Sequence, residues 1–457
     1  MYSNYAAPLG VALSAILATS PLGAADPAGK DMPADRAPED RAAHDLNSPA
    51  EPTGTLTLPQ ALALALTRNP ELTAFSQETR AREAATLQAG LLPNPALNIS
   101  AENLANSRLK GFDGPAVTLQ FSQLIELGGK RTRRVRLADL DRDLASWDYE
   151  AKRLDVLTDT RKVFMQVLAA QEHLRLAQEL LELAGQVQRS TAERVHAGKV
   201  SPLEETKAGV ATATARLQLT AAQSELQAAR VALAALWGTA APRFERVEGK
   251  IEEIVTAIPS PEDIEGLIAQ NPDVARWVTE IEQRQAALAL ARSHRMPDLT
   301  VSAGVREYAD TGDTALVAGI AVPLPLFDRN QGTIQGSHYR LAKAEDERQA
   351  AEARVRSAFA RSYLSLTTAQ AEVLALRTEV LPAAQRAFEA ATEGYRQGKF
   401  SYLEVLDAQR TLFDTRGRYL TSLTTYQTAA ADLERLIGVA LDEVRQGSNP
   451  RTPGGRK

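Results

Sequence analysis

The chain has 457 residues, 24% of them charged, a formal net charge of −5 and no cysteine. Without cysteine there is no disulfide, thiolate metal site, cysteine nucleophile or acylated-cysteine anchor, and with acidic and basic side chains interspersed there is no basic field for nucleic acid. About three ordinary domains would be expected at this length, but an internal repeat points instead to one elongated body.

Residues 1–25 read as a signal peptide: Leu9 to Leu22 is a short apolar run and Gly23-Ala24-Ala25 sets small residues where cleavage would occur, although no Lys or Arg precedes the run. Residues 26–55, rich in Pro, Ala, Asp and Arg, have the composition of a disordered leader that cannot offset its ordering entropy by burial. A first repeat is expected over 56–238, a linker over 239–260, a second repeat over 261–438 and a tail over 439–457.

The first repeat opens with helix from Leu58 to about Leu92, kinked or divided at Asn69-Pro70. From Ala96 to Asn103 the period changes to two, Leu97, Ile99 and Ala101 against Asn98, Ser100 and Glu102; Val117 to Ser122 alternates likewise, across a loop from Leu104 to Pro115. Lys130 to Ala197 then reads as one helix of roughly 100 Å, at about 1.5 Å per residue. Its Leu137, Leu140, Leu144, Trp147, Ala151 and Leu154 step by three and four, a coiled-coil spacing that needs neighbours along the whole length. Gly198-Lys199-Val200-Ser201-Pro202-Leu203-Glu204 is a helix reversal: Gly closes one helix in the left-handed conformation, and Ser followed three residues later by Glu is the capping box of the next. Ser201 to Trp237 runs back about half the distance, and Gly238 to Ser260 links to the next unit.

The design then returns. Asn69-Pro70 recurs as Asn271-Pro272 and Pro95 as Pro297, each 202 residues later, and Leu236-Trp237-Gly238 recurs as Leu436-Ile437-Gly438. The second ascending helix starts at Pro261. Leu299 to Val305 and Leu316 to Val322 alternate as strands around a loop from Glu307 to Asp313. Gln331 to Gln397 is a second long helix, Gly398-Lys399-Phe400-Ser401-Tyr402-Leu403-Glu404 a second tip, and Ser401 to Ile437 a second half-length helix. The expected fold is mainly α with a small β part, in two pseudo-repeats of helix, strand hairpin, long helix, tip turn and half helix. Each strand is about long enough to cross a bilayer at a tilt; a soluble hairpin with one wet face explains any single hairpin equally well. Four strands alone would leave open edges in lipid at several kcal/mol per unsatisfied group, so closure in a membrane requires other chains.

These features resemble the TolC-like outer-membrane efflux factors over Leu56 to Gly438. The repeat, the paired Asn-Pro motifs, both tips, and Tyr395-Arg396-Gln397-Gly398 followed by Ser401-Tyr402-Leu403-Glu404-Val405-Leu406-Asp407 carry the resemblance. Glu126-Leu127-Gly128-Gly129-Lys130-Arg131, with Pro323-Leu324-Pro325-Leu326-Phe327 opposite, resembles the cobalt-zinc-cadmium branch. The resemblance implies a homotrimer with a 12-stranded β-barrel in outer-membrane lipid on a periplasmic α-helical tunnel. It also implies docking to a periplasmic adaptor (membrane fusion) protein and a proton-driven inner-membrane RND-type pump, without a cofactor. The expected function is a passive exit duct for divalent heavy-metal cations. A multidrug or type I secretion channel is the alternative within the class, and a soluble periplasmic coiled-coil scaffold or adaptor the alternative outside it.

No catalytic constellation stands out, so no enzyme is expected. His44, His173, His196, His294 and His338 lie far apart without a ligand-spacing motif, and no metal site is expected. The family ties a Tyr of the second long helix to a carboxylate of the first tip, positions held here by Tyr395 and Glu204. Its lumen-facing acidic pair falls on Glu404 and Asp407. Its second tie falls on Phe400 and Leu203, which cannot form it. A capping box explains Glu204 and Glu404 without a gate; no cap explains Asp407. Gly198, Lys199, Val200, Ser201, Gly398, Lys399, Phe400 and Ser401 form the expected adaptor-docking tip, chiefly through backbone and small residues, since Lys199 and Lys399 also suit helix C-termini. Glu126 to Arg131 also reads as a strand-to-helix bend whose glycines take unusual dihedrals.

Overall fold

The computed structural model describes residues 51–103, 114–254 and 258–445. The expected signal peptide, most of the leader, nearly all of the 104–115 loop, His44 and the last residues of the tail lie outside the described residues.

The two Asn-Pro motifs organise the middle of the chain. Pro at a first helical position needs no N–H partner, and the preceding Asn caps the helix: Asn69 Oδ1 accepts from Leu72 N at 2.9 Å and Asn271 Oδ1 from Asp273 N at 2.9 Å. Each amide then reaches a distant helix end. Asn69 Nδ2 donates to Leu236 O at 2.8 Å, and Asn271 Nδ2 donates to Arg435 O and Leu436 O at 3.0 Å each. One side chain thus satisfies the orphan donors of a helix start and the orphan acceptors of a helix end. In each repeat the half-length helix therefore ends where the upper ascending helix begins.

The first repeat runs β1 (Thr55–Thr57), α1 (Leu58–Arg68), α2 (Pro70–Ala89), β2 (Ala96–Glu102), β3 (Ala116–Ile125), α3 (Lys130–His196) and α4 (Pro202–Ala235). After β4 (Arg246–Glu248), the second runs α5 (Pro261–Glu265), a 3₁₀ turn (Gly266–Gln270), α6 (Pro272–Ser293), β5 (Leu299–Tyr308), β6 (Thr314–Ala321), α7 (Gln331–Ala375), α8 (Leu381–Arg396), α9 (Tyr402–Ile437) and α10 (Leu441–Arg445). The long helix read over Gln331 to Gln397 carries a π-helical turn, Leu376–Val380, between α7 and α8. Pro382 explains it, because its ring cannot accept the regular carbonyl approach from the turn before.

β2, β3, β5 and β6 form one antiparallel sheet in that order, with β2 and β6 as its edges. β3 runs to Ile125 and β5 to Tyr308, beyond the alternation read in the sequence, since pairing along β3–β5 carries both strands further. Two segments flanking the first repeat carry more structure than their sequence reading describes. Residues 51–55, assigned to the leader, are tied to the fold at both ends: Glu51 is buried and accepts from Trp237 Nε1 (3.2 Å) and Arg243 N (2.6 Å), and Thr55 opens β1. The 239–260 linker contains β4, which pairs in parallel with β1. Neither segment alternates long enough to announce a strand.

The large apolar side chains collect at this middle level. Leu56, Leu64, Phe164, Leu233, Trp237, Phe244 and Val247 form one core. Ile264, Phe359, Leu366, Val373, Leu423, Tyr426, Leu433 and Ile437 form another. Toward the sheet, α2 buries only Leu72.

Candidate functional site

The sheet has two chemically distinct faces. Cross-strand partners Leu97 and Phe121, Ile99 and Leu119, Leu119 and Val305, and Val301 and Ile320 lie on one face, and all of these side chains are exposed. On the other face Gln120 Nε2 donates to Ser302 Oγ at 2.9 Å, Arg306 Nε to Thr118 Oγ1 at 2.9 Å, Arg306 Nη2 to Glu102 at 3.0 Å, and Asn98 Nδ2 to Ser122 Oγ at 3.2 Å. A sheet apolar on one side and hydrogen-bonded on the other suits lipid outside and water inside. Among the described residues no helix is long and apolar enough to cross a membrane.

Below the sheet, Glu126 to Arg131 forms a clasp. Gly128 and Gly129 take φ of 71° and 68°, turning β3 into α3. Lys130, almost fully buried, meets Asp298 at 2.6 Å, and Leu127 N donates to the same carboxylate at 3.0 Å. Burial alone would push the Asp298 carboxyl up; hydrogen bonds from Lys130 and Leu127 N outweigh it and leave it below its ordinary value. The Arg134 guanidinium grips Glu126, holding that carboxyl low, and donates to Ala89 O at 2.9 Å. The motif joins the last turn of α2, the start of α3 and the start of β5.

At the opposite end Gly198 and Gly398 take φ of 69° and 74°, and the following lysine N–H groups bond Arg194 O at 2.9 Å and Gly394 O at 2.8 Å. Both reversals match their sequence reading. Only the second capping box closes: Ser401 N donates to Glu404 Oε2 at 2.6 Å. At the first tip Ser201 caps Leu203 N instead, at 3.2 Å, and Glu204 turns inward. Tyr395, 8% exposed, lies with Tyr402, Ala208, Ala391 and Val405 in a small core joining the two tips. Arg194 sits 4.2 Å over the Tyr395 ring. Burial, reinforced by Tyr395 and the Glu204 carboxylate, pushes the Tyr402 phenol up.

The fold brings Tyr395 and Glu204 into one cluster but does not tie them: the Tyr395 hydroxyl and Glu204 Oε2 are both buried without a hydrogen-bond partner among the described residues. The expected Tyr395–Glu204 bond is thus absent within the chain. Glu404 and Asp407 lie exposed, one turn apart on α9, and Asp407 has no ion pair among the described residues. Of the docking-tip residues all are exposed except Val200, which is half-buried. The sequence did not single out Arg194, Tyr402 or Gly394; a Cβ at Gly394 would collide with the Phe400 ring. Only the Gly-Tyr-Arg order just before the turn hinted at that close packing. Among the described residues no group of three or more His, Asp or Glu side chains is placed to hold a metal.

A family model described as outer membrane efflux protein matches residues 61–239 and 264–439. The chain belongs to the outer membrane efflux protein family. This efflux protein is 39% identical over 390 residues to the cobalt-zinc-cadmium resistance protein CzcC of Cupriavidus metallidurans, covering 85% of the chain and 92% of that relative. It is 26% identical over 421 residues to the pyoverdine export outer membrane protein OpmQ of Pseudomonas aeruginosa, covering 86% and 87% of the two chains. Its fold matches the crystal structure of the outer membrane protein VceC from Vibrio cholerae with a TM-score of 0.70 at 19% identity, over 84% and 96% of the two chains. The efflux protein is thus an outer-membrane channel-type chain, and the two-faced sheet is the part suited to lipid.

Proposed function

We propose that this efflux protein trimerises into a 12-stranded barrel on a helical tunnel and serves as the passive exit duct of a tripartite system for divalent heavy-metal cations. The observation that carries the reading is the four-stranded sheet, apolar on one face and polar on the other, with both edges unpaired. Strand order alternates in direction, so β6 of one copy is antiparallel to β2 of the next, and closure removes every edge. About twelve strands leave a water-filled lumen lined by the Gln120 and Ser302 face. Similarity to CzcC supports the cargo, and the partners are a periplasmic adaptor and an inner-membrane pump of the RND type. Fractionation should return a heat-resistant trimer from outer membranes, and deletion should sensitise cells to cobalt, zinc or cadmium more than to bulky drugs. A drug-only phenotype would overturn the cargo and leave the architecture standing.

The gate is placed at the tips, with Glu404 and Asp407 of three copies ringing the opening and the Tyr395–Glu204 cluster setting how far α8 and α9 can part. Gly198 to Ser201 and Gly398 to Ser401, exposed apart from the half-buried Val200, offer the adaptor their backbone and small side chains. The test is conductance in planar bilayers: Glu404→Gln with Asp407→Asn should weaken cation selectivity and block by multivalent cations while the trimer persists. Unchanged currents would place the gate elsewhere.

A further inference from the structure

After β4 the chain closes over a cavity of about 950 Å³. Its walls come from four segments: α3, residues 249–253, the π-helical turn with the start of α8, and α9. The 249–253 stretch is pinned from two sides. Gln171 of α3 donates to Val247 O at 3.0 Å and accepts from Val247 N at 2.8 Å, while buried Gln427 of α9 donates to Ile251 O at 3.1 Å and to Glu253 O at 2.7 Å. Gly249 lets this backbone close on α3, since a Cβ there would meet Leu168 Cδ1 at 3.0 Å. The pins use backbone groups, and the side chains of residues 250–253 line the cavity.

Among the described residues eight charged side chains line the cavity, and six of them satisfy one another. Arg175 pairs with Glu172 at 2.8 Å and with Glu179, Arg416 with Glu179 at 3.2 Å, and Lys250 with Glu253 at 3.5 Å. Arg377 and Glu252, one of each sign, have no ion pair among the described residues. Tyr419, 8% exposed, also lines the cavity, and its hydroxyl has no hydrogen-bond partner among the described residues. Burial and the Glu252 carboxylate push its phenol up, and the Arg377 guanidinium pulls it down, so both charges act on the same ring. Leu168, Ile251, Leu412 and Leu420, all buried, add an apolar surface. A metal ion does not suit these walls, because among the described residues no three His, Asp or Glu side chains are placed to hold one.

We infer that this cavity binds a short zwitterionic peptide with apolar side chains, its carboxylate on Arg377, its ammonium on Glu252 and a backbone amide on the Tyr419 hydroxyl. A guanidinium forks a carboxylate, a carboxylate accepts from an ammonium, and the buried hydroxyl gains the partner that its burial demands. The volume suits a peptide better than a single amino acid, since sites for drug-sized ligands span about 300–1,000 Å³. Bound there, the peptide bridges the 249–253 stretch to the π-helical turn that carries Arg377. The site lies within one copy and needs neither the trimer nor the gate.

The test is calorimetric titration of the full-length chain in detergent with three probes: leucyl-leucine, N-acetyl-leucyl-leucine, which lacks the ammonium, and leucyl-leucinamide, which lacks the carboxylate. Leucyl-leucine should bind about tenfold tighter than either. Arg377→Gln should lower leucyl-leucine to the level of the amide, Glu252→Gln should lower it to the level of the N-acetyl form, and Tyr419→Phe should weaken it about fivefold. Arg377 and Glu252 are exposed, so both charge variants should keep the wild-type mass in detergent. No heat with any probe, equal affinity for all three, or folded variants that bind as the wild type does would overturn the site. The natural absence of cysteine separates one further outcome. Arg377→Cys should react with a charged maleimide in the native assembly; a thiol that reacts only after denaturation shows that a neighbouring copy fills the cavity and overturns the ligand. A monomeric chain that still binds leucyl-leucine selectively supports the site and overturns the oligomeric reading instead.

Discussion

The two repeats start from nearly the same residues and use them differently. At the second tip Glu404 closes a capping box and is held by Ser401; at the first, Glu204 sits at the same place in the same motif but turns into the Tyr395 cluster with one oxygen unpartnered among the described residues. At the sheet base the first repeat spends Lys130 and Glu126 on ion pairs, while the second presents Phe327 in the open. A repeated motif therefore conserves backbone geometry, here the left-handed glycines and Asn-Pro caps, more faithfully than side-chain roles. Roles are decided by which other elements arrive beside each copy.

The largest effect should come from the base. Asp298→Asn leaves the Lys130 ammonium buried without its counter-charge and should destabilise the fold by about 3–5 kcal/mol, whereas Gln331→Ala, at the place in the second repeat that matches Lys130, should change denaturant midpoints very little. Equal losses would mean the repeats are clasped alike. The same clasp has a pH signature. Asp298 and Glu126 both titrate below their ordinary values, so their contribution is complete above the unfolded carboxylate range, about pH 4, and is lost as pH falls through the folded values. Acid should therefore cost the wild type more than it costs Asp298→Asn.

Next in size is the sheet, where the repeats should behave alike. Leu119→Arg and Val301→Arg put a charge on the apolar face of one repeat each and should each impair assembly by roughly 2–4 kcal/mol near mid-membrane, read as loss of heat-resistant trimer. Substitution of polar-face Thr300 should be tolerated. Equal tolerance on both faces would remove the barrel from consideration.

At the tips the expected effects are smaller and opposite in character. Glu404→Ala should cost about 1 kcal/mol as a lost cap, and Glu404→Gln should restore it because an amide still reaches back to Ser401 N. Glu204→Gln should leave stability unchanged, since no cap depends on it. Tyr395→Phe removes a hydroxyl with no partner among the described residues, so thermal unfolding should be unchanged or slightly later, while the open fraction in planar bilayers rises if the cluster holds the gate. A clear loss of stability would show that the hydroxyl finds its partner in a neighbouring copy.

Local chemistry and periodicity state much of the fold outright: alternation of two for the strands, long three-and-four stepping for the helices, left-handed glycines at both reversals, and helix starts at Asn69-Pro70 and Asn271-Pro272. Those signals rest on interactions between residues a few positions apart, so they are written in the chain directly. What those residues do at a distance depends on how the folded chain brings remote segments together. Tertiary packing sent the Asn69 and Asn271 amides to helix ends more than 160 residues away, paired β1 with β4 from segments too short to alternate, and buried Lys130 against Asp298. It also left Tyr395 and Glu204 close without a bond, because the inward turn of Glu204 follows from the packing of α4, α8 and α9 around it and not from the motif that Glu204 shares with Glu404.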